Sequence, residues 1–281
     1  MSIGCVITGA SSQLGAPLLA QLSARVFLLT AWSRHAADQP ASSSILWQQV
    51  DLQPPPAIAA STRLLIHLAP IHLLPALLTN TKLSALRVIA ISTCSVRFKA
   101  QSHCRYEQQV VRLAAEHGHQ LTVLRPSMLY GAGRDGTVAV LQTFIRRFGF
   151  LVLPAQAAGL RQPVHVGDVV QAIMACIDQP STVGQCYELG GAERLSLDQL
   201  AERIFMHNKR RARIITVPQG LLHALIAIVR WTRLRADWRP GLVARAQQAQ
   251  VVDNGPAMQD FAYAPRPFDG RFVVGADNGS D

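Results

Sequence analysis

Thr8-Gly9-Ala10-Ser11-Ser12-Gln13-Leu14-Gly15 joins an apolar run, Ile3–Thr8, to a helical pattern over residues 15–23. A glycine directly after a buried strand can take positive φ for a tight turn, and a glycine opening the helix lets it pack close to the sheet. The first turn of such a helix offers unsatisfied N–H groups and a positive partial charge, a setting for a diphosphate. Ser12 stands where a middle glycine is usual. Its side chain is small enough for close backbone approach, and its hydroxyl can add a phosphate contact. The turn alone is Gly-poor; its place between strand and helix gives it meaning.

Outward from this turn, short apolar runs alternate with helical patterns, which predicts a parallel sheet covered on both faces. The expected strands are Ile3–Thr8, 26–30, 45–50, 64–68, 87–92 and 121–124, near-continuously apolar as buried parallel strands are. The expected helices are 15–23, 71–79, 102–117 and Thr137–Phe148, with the proline run Gln53-Pro54-Pro55-Pro56 as a stiff connector. After about residue 160 the pattern changes. A helix is expected over 169–177, then a strand at Cys186–Leu189 and a helix capped by Ser196 with Gln199 answering it. Helices over 220–231 and 241–248 then lead into a Pro/Gly-rich tail. The fold class is therefore α/β, a Rossmann-type doubly wound sheet with a smaller mixed lobe. Residues 1–180 are assigned to nucleotide binding and 181–281 to a substrate or partner lobe.

Composition narrows the function. Hydrophobic residues make up 49% of the 281 and charged residues 16%, ample for a packed core and against disorder. The aliphatic run 221–229 contains His223, ends at Arg230 and is too short to span a bilayer. A strand-like run from Ile3 with no basic leader predicts a cytoplasmic protein. Five scattered cysteines (Cys5, Cys94, Cys104, Cys176, Cys186) form no C-x-x-C, so neither a disulfide framework nor a metal site is expected. The net charge of +10 favours anionic ligands, but the cations do not interleave with aromatics as a nucleic-acid groove requires.

The turn, followed by Asp51-Leu52, His67-Leu68-Ala69-Pro70, Ser92-Thr93, Leu124-Arg125-Pro126 and Tyr130-Gly131, resembles the extended and atypical short-chain dehydrogenase/reductases, or NAD-dependent epimerase/dehydratase family. Arg161-Gln162-Pro163-Val164-His165-Val166-Gly167-Asp168-Val169 and Tyr187-Glu188-Leu189-Gly190-Gly191 resemble later blocks of that family. The resemblance implies pyrophosphate contacts from the backbone of Ser12, Gln13 and Leu14 beside Gly9 and Gly15. It also implies adenine contacts from Asp51 and Leu52, ribose-side contacts from Leu68, Ala69 and Pro70, and Pro126 beside a nicotinamide. The second strand ends in Ser33-Arg34 with no acid for a ribose 2′-OH. A guanidinium there suits a 2′-phosphate, so NADP(H) is favoured over NAD(H); the alternative is a solvated loop arginine.

In this family a Ser/Thr, a Tyr and a Lys four residues later handle protons. Thr93 holds the first place, but no Tyr in this chain has a Lys four residues on. Aligning on Glu107 puts His103 at the lysine position and Lys99 at the tyrosine position; these with Thr93 are the candidate catalytic residues. The missing pair and a short preceding loop are similar to an atypical branch that includes the NADPH-binding accessory subunit of respiratory complex I. Residues 124–133 with Arg134-Asp135, the 161–169 block and Val252-Asp253-Asn254 carry that similarity. Two readings follow: an oxidoreductase or epimerase/dehydratase-like enzyme acting on a small molecule, or a non-catalytic NADP(H)-binding scaffold or sensor. A third feature, the aliphatic stretch over 220–231 with Trp231, Arg233, Arg235, Trp238 and Arg239 after it, suits peripheral contact with a membrane or membrane complex.

Overall fold

The computed structural model describes residues 3–25, 27–34, 44–81, 83, 85–94, 102–132, 137–155, 159–218 and 249–270. Lys99 and the helices expected over 220–231 and 241–248 lie outside these residues. Two compact units interleave along the chain. Unit 1 comprises Met1–Pro126, Val166–Leu189 and Asp253–Ala264; unit 2 comprises Ser127–His165, Gly190–Val252 and Pro265–Asp281. The sequence reading cuts the chain once, at residue 180, whereas these contacts divide it at several crossings.

Unit 1 is built on seven parallel strands: β1 (Ile3–Thr8), β2 (Phe27–Ser33), β3 (Ile45–Gln49), β4 (Thr62–His67), β5 (Arg87–Ile91), β6 (Gln120–Pro126) and β10 (Cys186–Leu189), in the order β10-β6-β5-β4-β1-β2-β3. The chain works outward from β1 on one side and from β4 on the other, the doubly wound order with one further edge strand. Strand alternation sets the two faces. Val6, Leu65, Val88 and Val123 share one cluster with Leu74, Leu77 and Leu78 of α2 (Leu74–Asn80) and Val110 and Ala114 of α3 (Ser102–Glu116). A 3₁₀ turn, Ile71–Leu73, precedes α2, with Pro75 in its first turn, where a missing N–H costs little. α1 (Gly15–Leu22) and α5 (Val166–Asp178) are the remaining long helices of this unit.

Unit 2 holds two short parallel ladders that the sequence does not announce. β7 (Met128–Tyr130) pairs with β9 (Pro163–His165), and β8 (Leu151–Pro154) with β11 (Ile214–Val217). Its core gathers Val138, Leu141 and Ile145 of α4 (Thr137–Phe148) with Leu200, Ile204 and Phe205 of α6 (Leu197–His207). The start of α6 bears out the expected box: the Gln199 amide donates to Ser196 Oγ, and the Ser196 amide donates to Gln199 Oε1. The Pro/Gly-rich tail contains α7 (Gly255–Phe261), with Pro256 in its first turn and Phe261 packed against Tyr187 of β10. Among the described cysteines, Cys5, Cys94 and Cys176 are buried, Cys104 is half-buried and Cys186 is exposed.

Leu77 is fully buried between α2 and the sheet. Leu77→Ala leaves a cavity and is expected to lower unfolding free energy by about 2–5 kcal/mol in urea titrations, with an unchanged m-value.

Candidate functional site

The turn between β1 and α1 is held by backbone at van der Waals limits. Gly9 has φ +67°, and a β-carbon there would lie 2.6 Å from the amide nitrogen of Ala69. At Gly15 a β-carbon would lie 1.8 Å from the carbonyl oxygen of Ala10. No side chain fits at either place, so the turn after β1 nests against the segment after β4. The carboxyl ends of these two strands flank the topological switch point, where doubly wound sheets receive ligands.

The N-cap of α1, Leu14, has no capping side chain, and the first turn carries no acid. Ser12 donates its amide to the Gly9 carbonyl (2.9 Å), while the Ser12 hydroxyl is buried with no hydrogen-bond partner. The hydroxyl is thus the group Ser12 has to offer. An anion at this helix end would meet oriented N–H groups and a positive partial charge. These features fit a diphosphate.

The neighbouring strand ends are tied to the same turn. Ser33 closes β2, buried, with its Oγ donating to Ser11 Oγ (2.9 Å), and the Ala10 amide donates to the Trp32 carbonyl (3.1 Å). Arg34 follows in an exposed turn. Asp51 is exposed and accepts the Gln53 amide (3.2 Å), whereas Leu52 is buried in the α2–α3 side of the core. Leu68 is half-buried, Ala69 buried and Pro70 exposed, and Pro126 is buried at the end of β6.

Beneath the turn lies a histidine that sequence reading recorded only as part of a motif. His67 is fully buried; its Nδ1 is 2.7 Å from Thr8 Oγ1, and its Nε2 is 3.3 Å from the Pro70 carbonyl oxygen. A carbonyl can only accept, so Nε2 carries the proton and Nδ1 accepts from the threonine. Burial, with the backbone bond to Pro70 opposing it, pushes the imidazole pKa down to about 4. His67 is therefore a neutral crosslink between the ends of β1 and β4.

Thr93, half-buried, follows β5, and His103 lies in the first turn of α3, four residues before Glu107. Glu107 itself is buried. It accepts from Ser92 Oγ (2.8 Å) and from Arg125 Nε (2.9 Å), and Arg125 Nη2 closes a second, shorter contact. Burial works against the Arg125 charge, but its hydrogen bonds to Glu107, together with the charge interactions with Cys186, Glu107 and Glu188, hold the guanidinium pKa above its ordinary value. This ion pair sets the register of α3 against the ends of β5 and β6, and hence where residue 103 stands. Tyr106 is turned elsewhere, its ring 5.8 Å from that of His72. In unit 2, Tyr130 is a packing residue, edge-on to His165 and Phe268. No cluster of His, Cys, Asp and Glu suited to a metal occurs among the described residues. None of their helices is long and apolar enough to cross a membrane.

The fold is a Rossmann-type doubly wound sheet with a glycine turn at its switch point, and known proteins resemble it in part. Residues 100–190 match the profile of the NAD dependent epimerase/dehydratase family, which bears out the resemblance read from the motifs. The chain is similar to subunit 9 of the NADH dehydrogenase [ubiquinone] 1 alpha subcomplex, mitochondrial, of Arabidopsis thaliana. They are 31% identical over 109 residues, 38% of this chain and 27% of that protein. It is also similar to UDP-glucose 4-epimerase of Vibrio cholerae, 24% identical over 98 residues, 35% of this chain and 30% of the epimerase. The match thus covers less than a third of either relative's length. Among solved structures, UDP-glucuronic acid 4-epimerase from Bacillus cereus, in complex with UDP-glucuronic acid and NAD, superposes with a TM-score of 0.72. That match has 13% identity over 95% of each chain, a likeness of fold.

The His67 crosslink has a pH signature. With a folded pKa near 4 against an ordinary 6.5, the unfolded chain binds the extra proton first as pH falls. The crosslink's contribution is complete above about pH 6.5 and is lost as pH drops through about 4, a change of roughly 3 kcal/mol. Denaturant titrations across this window should show that decline. His67→Asn, which does not titrate, should flatten it; an unaltered slope would reject the assignment.

Proposed function

We propose that unit 1 binds NADP(H) over the turn between β1 and α1. In this reading the chain is an oxidoreductase or epimerase/dehydratase-like protein that works without the family's Tyr-Lys pair. The observation that carries the reading is the head of α1: two positions where only glycine fits, no cap and no acid, and a buried Ser12 hydroxyl lacking an acceptor. Ser12, Gln13 and Leu14 would hold the pyrophosphate, Asp51 and the neighbouring Leu52 the adenine end, and Leu68, Ala69 and Pro70 the ribose side. Pro126 would flank the nicotinamide. Arg34, exposed beside the Ser11–Ser33 hydroxyl pair, would take a 2′-phosphate by charge-assisted hydrogen bonds, and no acid stands at the end of β2 to select a free 2′-OH.

When bound, the nicotinamide supplies hydride transfer, and the protein's share is to orient substrate and manage a proton. Thr93 offers a hydroxyl after β5. His103, held in register by the Glu107–Arg125 pair four residues on, is the group suited to exchange a proton near neutrality, and Lys99 takes the family's tyrosine position. The substrate class implied by similarity to the sugar-nucleotide epimerases is a nucleotide sugar or related carbonyl compound.

A second reading, a non-catalytic NADP(H)-binding scaffold in a larger complex, is favoured by the absence of any Tyr-x-x-x-Lys in the chain. The similarity to a respiratory NADH dehydrogenase subunit adds to it.

Mass spectrometry of nucleotide retained by the purified chain, followed by calorimetry with NADP+, NADPH and NAD+, tests the binding. NADP+ should bind more tightly than NAD+. Arg34→Ser should weaken NADP+ by about 10–100-fold while changing NAD+ less than about threefold. Flat traces with all three nucleotides on folded protein reject the proposal. Steady NADPH consumption with a carbonyl or nucleotide-sugar panel, reduced in Thr93→Ala, selects the enzyme; retention without turnover selects the scaffold.

A further inference from the structure

Unit 2 carries a dense basic surface that the nucleotide reading does not use. Arg146 and Arg147 are exposed on the last turn of α4, and the exposed run Lys209-Arg210-Arg211-Ala212-Arg213 leads from α6 into β11. Two hydrogen bonds bring these segments together. Arg210 Nη1 donates to the Ile145 carbonyl (3.1 Å), satisfying an end group of α4, and the Leu151 amide donates to the Arg213 carbonyl (2.9 Å). One of the six cations is thereby accounted for by helix capping. The carboxylates of Asp178, Glu116, Glu107 and Glu193 pair with other arginines. Like charges are thus crowded together, and none of the six forms an ion pair among the described residues.

Exposed apolar side chains occur on the same segments. Phe148 is 48% exposed, Ile215 50% and Met206 66%. Phe148 ends α4, Met206 accepts the Lys209 amide through its carbonyl in the last turn of α6, and Ile215 lies two residues beyond Arg213. We propose that this face docks on an anionic lipid bilayer. Headgroups would supply the missing negative charge, while the exposed apolar groups enter the acyl boundary, the division of labour of interfacial binding. A single-stranded nucleic acid fits less well. Phe148 lies beneath the Arg147 guanidinium (5.6 Å) and is tilted against Phe144 and Phe150, so it is no open stacking platform, and Met206 and Ile215 have no use in one. In sequence, β11 is followed after a short interval by the aliphatic stretch 221–229 and then by Trp231 and Trp238 among arginines, the same mixture of chemistry.

The inference stands independently of the cofactor reading. Its test is co-sedimentation of the full chain with vesicles of phosphatidylcholine, with and without phosphatidylglycerol. Binding is expected to the anionic vesicles alone and to fall as salt rises. Arg147→Gln with Arg211→Gln should weaken it by about 25-fold, at roughly fivefold per charge. Arg105→Gln with Arg112→Gln, the same charge removed from α3 in unit 1, should change it less than about threefold. Unaltered melting temperatures and nucleotide binding in both variants show that the fold is intact. No binding to anionic vesicles, equal binding to neutral ones, or equal loss in both variants overturns the proposal. Tighter binding to a DNA oligonucleotide that is lost in the first variant alone would also overturn it and reassign the face to nucleic acid.

Discussion

The approach of two backbone segments without intervening side chains governs unit 1 of this molecule. At Gly9 and Gly15 the space a β-carbon would need is occupied by main-chain atoms of Ala69 and Ala10. This close packing sets the turn after β1 against the segment after β4 and aims the head of α1 at the switch point of the sheet. The Thr8–His67 contact reinforces it from below, a neutral hydrogen bond where a charge would be unsustainable. The first turn of α1 carries no acid and its N-cap no side-chain cap, the features on which the proposed diphosphate site rests.

The other organising interaction is ionic. Glu107 and Arg125 pair where both are largely withdrawn from water, with Ser92 donating to the same carboxylate. Breaking such a pair is costly because it strands a buried charge, so its effect is chiefly to hold α3 in one register. That register decides which residues of the first turn of α3 stand near the end of β5. His103 is in that first turn, four residues before Glu107.

Much of unit 1 was legible because buried parallel strands leave continuous apolar runs, and these seldom arise by other means. The run ending at Thr8 and the helix opening at Gly15 could be read to within a residue, and so could the Ser196–Gln199 cap, whose partners are three residues apart. The ladders β7–β9 and β8–β11 were not legible. Each strand has three or four residues, and its partner lies 35 to 63 positions away, as Met128↔Pro163 and Ile214↔Leu151 show. α7 was hidden in a stretch rich in Pro and Gly, although Asn254-Gly255-Pro256 is an acceptable helix start. The Glu107–Arg125 pair left one trace, a carboxylate on the inward face of an amphipathic helix and a guanidinium in an apolar strand, but its geometry depends on tertiary register.

The interleaving of the units bears on how the chain is made. Six strands of the large sheet, from Ile3 to Pro126, are contiguous in order of synthesis and can pair as soon as they leave the ribosome. The seventh must wait: β10 joins β6 in register, Leu189 beside Pro126, only after some sixty further residues have emerged. Its Tyr187 then hydrogen-bonds Asp260 and packs on Phe261, so that edge is sealed last of all. The portion translated first is therefore among the last to be completed, and a chain arrested before Asp260 would hold a nearly finished sheet with one raw margin.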